Sequence, residues 1–273
     1  MEDIYSNIID RLKEFQERNH VKGYVIGISS GKDSTVVAKL LVDAIGKENV
    51  LGVLMPNGEQ KDIEDSIKVC ELLGINYHTV NIRCIYNSLL SAIHEPQTSQ
   101  TKMIPDIDGT WYPETEPQDR KATTENGFEF QVSPKAHTNI PPRLRMSVLY
   151  AIAQSIGYLV AGTGNKSERF VGWFTKWGDG ACDINPIAHL TCTEVIALGD
   201  YLGLPYDLVH KTPADGLTGK SDEENLGFTY KELDSLIKKT ESSDYYILKN
   251  QKEKDILSMH YNSFHKFKPI TFE

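Results

Sequence analysis

The sequence predicts an α/β fold, a doubly wound parallel sheet with helices on both faces. Three observations carry that expectation. Helix-period and strand-like apolar segments alternate from the N-terminus onward. Glycine-bearing turns separate them. One apolar run, Tyr24-Val25-Ile26, empties through Gly27-Ile28-Ser29-Ser30-Gly31 into a helical segment. In sheets of this kind ligands sit at the C-terminal ends of the strands.

Taken in order, Ile4, Ile8, Leu12 and Phe15 recur at helical spacing and mark an amphipathic N-terminal helix. The run ending at Gly27 is the first strand, and Ser34 is expected to cap a helix that reaches about Ile45. Val50 to Met55 reads as the second strand, Asp62 to Leu73 as a helix and Tyr77 to Ile82 as the third strand. Gly46, Asn57-Gly58 and Gly74 punctuate them as turns or helix C-caps.

From 95 to 138 the periodicity disappears, and Pro96, Pro105, Pro113, Pro117 and Pro134 predict an irregular insertion or lid. Trp111, Tyr112, Phe128 and Phe130 favour a lid that orders, because aromatic residues are sparse in solvated linkers. Pro141-Pro142 are expected at the start of the next helix, whose apolar face is Leu144, Val148, Leu149 and Ile152. Tyr158 to Ala161 is the fourth strand and Gly162 to Glu168 a second small-residue turn. No linker divides the chain, so one domain over 1–273 is expected.

Hydrophobic residues make up 40% and charged ones 25%, the profile of a globular protein. No apolar stretch approaches the ~20 residues of a membrane span. Met1-Glu2-Asp3 lacks the basic start of a signal peptide, and a cytoplasmic protein is expected. A net charge of −9 argues against a general nucleic-acid surface while leaving room for a local anion site. Cys70, Cys84, Cys182 and Cys192 show no CxxC spacing, so neither zinc nor a disulfide framework is expected.

The first turn carries the chemistry. Backbone N–H groups followed by a helix N-terminus form a phosphate site, to which Lys32 adds a mobile cation and Asp33 a ligand for the magnesium that accompanies ATP. It is not a Walker loop: only three residues separate Gly27 from Gly31, and Asp33 stands between Lys32 and Ser34.

That segment resembles the SGGxDS pyrophosphate loop of N-type ATP pyrophosphatases, with Ser30 in place of the first glycine. Three further segments follow in order: Asn139 to Met146 (NIPPRLRM), Gly162 to Glu168 (GTGNKSE) and Phe174 to Pro186 (FTKWGDGACDINP). With Lys211 to Leu217 and Phe264-His265-Lys266, the set is similar to ammonia-dependent NAD synthetase, of the adenine-nucleotide alpha-hydrolase-like fold. The resemblance implies a ligase that converts deamido-NAD, ATP and ammonia to NAD, AMP and pyrophosphate through an acyl adenylate. It implies a homodimer, no nucleic acid and no membrane. Glutamine is not expected as nitrogen donor, since the motifs fill the chain from residue 29 to its C-terminal segment.

By resemblance, Gly27, Ile28, Ser29, Ser30, Gly31, Lys32, Asp33, Ser34, Thr163, Lys211 and Thr212 bind ATP. Asp33 and Glu168 hold Mg2+ and, with Lys32, form the catalytic group. Arg143, Lys176, Asp183, His265 and Lys266 bind deamido-NAD. Cys192 stands where the family often has a phosphate-binding lysine, leaving Lys211 or Lys220 to replace it. Two other readings remain, an N-type ATP pyrophosphatase that activates a different carboxylate and a noncatalytic nucleotide sensor.

Overall fold

A computed structural model describes residues 1–60, 62–94, 103–105, 111–113, 121–124, 126–211, 221–242 and 246–269; for 103–105, 111–113 and 121 it describes the backbone alone. Helix α1 (Glu2–Asn19) leads to β1 (Tyr24–Gly27), α2 (Lys32–Ile45), β2 (Val50–Leu54), α3 (Ile63–Leu73), β3 (Asn76–Thr79) and α4 (Arg83–His94). Four short strands follow: β4 (Met103–Pro105), β5 (Trp111–Pro113), β6 (Lys121–Thr123) and β7 (Glu129–Gln131). Then come α5 (Pro134–Ile156), β8 (Leu159–Ala161), α6 (Lys166–Val171), α7 (Cys192–Tyr201), α8 (Tyr206–Val209), α9 (Asp222–Leu226), α10 (Tyr230–Glu241) and α11 (Gln251–Ser263).

The central sheet is parallel, with strand order β3-β2-β1-β8 among the described residues. Tyr24 lies between Val50 and Leu159, and Leu51 pairs with Asn76. A single bridge from Ala161 to Ile184 continues the sheet beyond β8. Because side chains alternate along a strand, β1, β2 and β8 each feed two cores. Tyr24, Ile26, Val50, Leu54 and Ala161 join residues of α1, α2, α3 and α7 on one face. Val25, Val53 and Val160 meet Ala153, Leu149 and Val148 of α5 on the other. A third cluster seats α10 and α11 against Val171 and Cys192. The doubly wound α/β expectation is therefore met. No helix among the described residues is long and apolar enough to cross a membrane, and all four cysteines are free.

Local departures have physical reasons. The third strand ends at Thr79 rather than Ile82; all four of its residues are exposed at the sheet edge, so no buried alternation marks its bounds. Ser34 is not the cap of α2. That helix begins at Lys32 with Gly31 as N-cap, and the Ser34 hydroxyl donates to the Gly31 carbonyl at 3.0 Å. Helix α5 starts at Pro134, behind Ser133, whose side chain accepts from the Ala136 N–H. Pro141 and Pro142 thus lie inside the helix rather than at its start, leaving the carbonyls of His137 and Thr138 without their intrahelical N–H.

Within the stretch expected to be irregular, β4 pairs antiparallel with β5 and β6 with β7. Three-residue strands are too short to leave a period-2 signature. The Phe128 and Phe130 rings stack at 6.4 Å; the Trp111 and Tyr112 side chains lie outside the described residues. Helix α4 has no counterpart among the sequence-based expectations.

Candidate active site

The ends of β1 and β8 place two turns side by side. In the first, the Ile28 N–H donates to the Val53 carbonyl at 3.0 Å, fixing the exit from the sheet. The Ser29 and Ser34 hydroxyls lie 3.2 Å apart, and the Gly31 N–H donates to Ser29 Oγ at 3.4 Å. No side chain caps the N-terminus of α2, so its first N–H groups are available to an anion. Ser30 has φ 60°. A non-glycine residue there carries strain on the order of 1 kcal/mol.

In the second turn, Thr163 lies between Gly162 and Gly164, and a Cβ at Gly162 would come within 2.5 Å of Cys182 Sγ. Asn165 and Glu168 form a capping box at the start of α6. Asn165 also joins the two turns. Fully buried, it accepts from the Glu168 N–H at 3.0 Å and donates from Nδ2 to Asp33 Oδ1 at 3.0 Å, across 132 positions of sequence. Its backbone N–H donates to Glu168 Oε2 at 3.1 Å, so the expected carboxylate pair is tied through an asparagine that the resemblance did not single out. Its sequence signal is the N-x-x-E spacing of the capping box.

Lys32 departs from expectation. Instead of a mobile cation, it is 3% exposed, its Nζ 2.8 Å from Asp33 Oδ2 and 5.6 Å from the Tyr230 ring centroid. Burial works against its charge, but Asp33, Cys192 and Glu168 outweigh that and raise its pKa. Burial, reinforced by the Asp33 charge, raises Glu168 well above the usual carboxylate range, with Lys32 opposing. Burial also pushes the Cys192 thiol up to about 12, against the pull of Lys32.

Lys211 lies at the other edge of the turn. Its Nζ donates to Ser30 Oγ at 3.0 Å and to Asp62 Oδ2 at 2.8 Å. Burial tends to raise the Asp62 pKa, but hydrogen bonds from Lys211, Ser30 and Gln60 outweigh it and lower it from 3.8 to about 2. A depressed folded-state value gives stabilisation that is complete above 3.8 and lost as pH falls through about 2. Asp62→Asn is expected to be less stable than the parent by a margin that is steady at neutral pH and closes across that window. Urea unfolding at a series of pH values reads it, and a margin independent of pH refutes the assignment. Thr212 and Lys220 lie outside the described residues.

The residues expected at deamido-NAD converge on the segment after α6. Arg143 Nε donates to the Lys176 carbonyl at 3.3 Å, and Lys176 Nζ donates to the His265 carbonyl. Lys266 Nζ donates to the carbonyls of Gly172 and Phe174 at 2.6 and 2.8 Å, a cation at the C-terminal end of α6. Trp177, half exposed at φ 58°, stands 5.4 Å from Lys176 Nζ. Asp183 is tied elsewhere: its carboxylate accepts from the Val160 N–H at 2.7 Å and from the Tyr150 hydroxyl at 3.3 Å. Tyr150 is seven residues, about two turns, along α5 from Arg143 and on the same face.

Comparison with known proteins agrees with this geometry. The family model described as NAD synthase matches residues 4–106 and 109–270. The chain belongs to the NAD synthase family. It is 38% identical over 235 residues to the NH(3)-dependent NAD(+) synthetase of Thermococcus sibiricus, covering 86% of this chain and 79% of that one. Among solved structures it is similar to the NMN synthetase of Francisella tularensis, with a TM-score of 0.78, 28% identity and coverage of 100% and 98%. It is likewise similar to the NH3-dependent NAD synthetase of Campylobacter jejuni in complex with the nitrate ion, with a TM-score of 0.74, 26% identity and coverage of 100% and 99%. With the family comes the activity: the chain is a ligase that converts deamido-NAD, ATP and ammonia to NAD.

Proposed function

We propose that the amidation proceeds in two steps in the cleft between the β1 and β8 turns. The nicotinate carboxylate of deamido-NAD attacks the α-phosphorus of ATP, forming an O–P bond as pyrophosphate leaves. Ammonia then forms a C–N bond to the acyl carbon, AMP departs with the carboxylate oxygen, and the nitrogen sheds a proton. A free carboxylate is a poor acyl donor, whereas the adenylate has a stable leaving group. The observation that carries this reading is the uncapped N-terminus of α2 beside the Asp33 and Glu168 carboxylates, which Asn165 links.

The turn from Gly27 to Ser34 and Thr163 receive ATP, its diphosphate against the α2 N-terminus, with Lys211 at the edge. Lys211 is the cation that takes the place of the lysine absent at position 192. Arg143, Lys176, Asp183, His265 and Lys266 receive deamido-NAD. Asp33 and Glu168 fit magnesium by donor type, because Asn165 bonds to both carboxylates and hard carboxylate oxygens are the ligands that cation prefers. Bound there, magnesium neutralises charge on the leaving diphosphate. A homodimer in the cytoplasm is the assembly and location the resemblance supports; light scattering at twice the 30.7 kDa chain mass tests the first.

The purified chain with ATP, magnesium, deamido-NAD and ammonium is expected to form NAD and AMP in equal amounts. ADP as the product sinks the mechanism. The likeness to an NMN synthetase favours a second reading, in which a mononucleotide is amidated. The same assay with nicotinic acid mononucleotide separates the two, and a higher kcat/KM for the mononucleotide reverses the substrate assignment.

A further inference from the structure

In the phosphate turn, Ser30 adopts a backbone conformation that suits glycine better than serine. Its hydroxyl nevertheless joins two distant parts of the chain. Oγ donates to Asp62 Oδ2 at 2.8 Å and accepts from Lys211 Nζ at 3.0 Å. The same ammonium donates to Asp62 Oδ2 at 2.8 Å and to Asp65 Oδ2 at 3.1 Å, so its three N–H groups have three named acceptors. Gln60 Nε2 fixes the other Asp62 oxygen at 3.0 Å. Lys211 is 181 positions from Ser30, so chain continuity does not bring them together.

We propose that Ser30 is a positioning residue that holds the Lys211 ammonium at the rim of the phosphate turn, where it meets the ATP polyphosphate. Asp62 and Asp65 both belong to the start of α3, and without Ser30 they would draw the ammonium to themselves. The neutral hydroxyl tethers it to the turn instead. An ammonium already in place spares the cost of ordering a long side chain when ATP arrives. The proposal rests on the reading of that turn as the diphosphate site.

A double-mutant cycle tests it, with Ser30→Gly, Lys211→Met and the pair. Lys211→Met is expected to raise the KM for ATP about tenfold, the loss of one charge-assisted hydrogen bond. Ser30→Gly raises it by a smaller factor, the pair is no worse than Lys211→Met alone, and the KM for deamido-NAD stays at the parent value throughout. Ser30→Ala, which keeps the strained backbone but lacks the hydroxyl, reproduces Ser30→Gly. A purely structural serine predicts the opposite for glycine: a turn relieved of strain and an unchanged KM for ATP. That result, or factors for the two single variants that multiply in the pair, overturns the proposal. A parent enzyme that forms no AMP overturns the diphosphate reading itself, and the same assay reports this before any variant is made.

Discussion

Glu168→Gln and Asp33→Asn are each expected to lower turnover on the order of 10² to 10³-fold. Each removes one of the two carboxylates proposed to hold magnesium at the leaving diphosphate, and charge stabilisation of this kind is the largest single contribution to many barriers. Gln at 168 should not cost stability, because the Glu168 pKa is already raised by burial and by Asp33, and a neutral isostere removes an unfavourable buried charge. Turnover against magnesium concentration, with a melting curve for each variant, checks both halves. Near-parent turnover at limiting magnesium in both variants removes Asp33 and Glu168 from the metal site.

Lys32→Met is expected to cost about 3 kcal/mol of folding stability without magnesium, since it leaves the half-buried Asp33 carboxylate without its cation. Methionine keeps most of the apolar stem beside Tyr230, so packing loss is small. Magnesium should restore part of the loss, because a ligand that binds only the folded state stabilises it. Urea unfolding of parent and variant, each with and without magnesium chloride, measures the two effects. Unchanged stability, or a magnesium increment no larger in the variant than in the parent, contradicts the assignment of Lys32 as the counter-ion of the carboxylate pair.

The sheet was legible because its central strands are apolar on both faces: Tyr24-Val25-Ile26 has both cores beside it and reads as continuous hydrophobicity. β3 was less so, since an exposed edge strand imposes no pattern. The start of α5 was hidden by Pro141 and Pro142, which local rules place at a helix start and which this helix carries inside. In the candidate site, the meeting of the Asp33 turn with the turn from Gly162 to Glu168, and of Arg143, Lys176 and His265, was foreshadowed by ordered motifs. Lys32 was not, because a lysine after a phosphate turn reads as a free cation until Asp33, Glu168 and Tyr230 are seen around it. Asn165 and Asp62 were missed for a related reason, as their partners lie 132 and 149 positions away.

Those separations also set an order of assembly. The phosphate turn leaves the ribosome before the asparagine that joins Asp33 to Glu168, which follows 132 residues later. At 5–20 residues per second that interval is roughly 7 to 26 s. Through it, a nascent β1–α2 unit carries an apolar strand with neither β8 nor α5 to cover it. The Lys32 ammonium, buried in the folded chain, meanwhile stays open to water until Glu168, Cys192 and Tyr230 arrive. The ligase is thus an enzyme whose first-made motif is finished by its later-made residues.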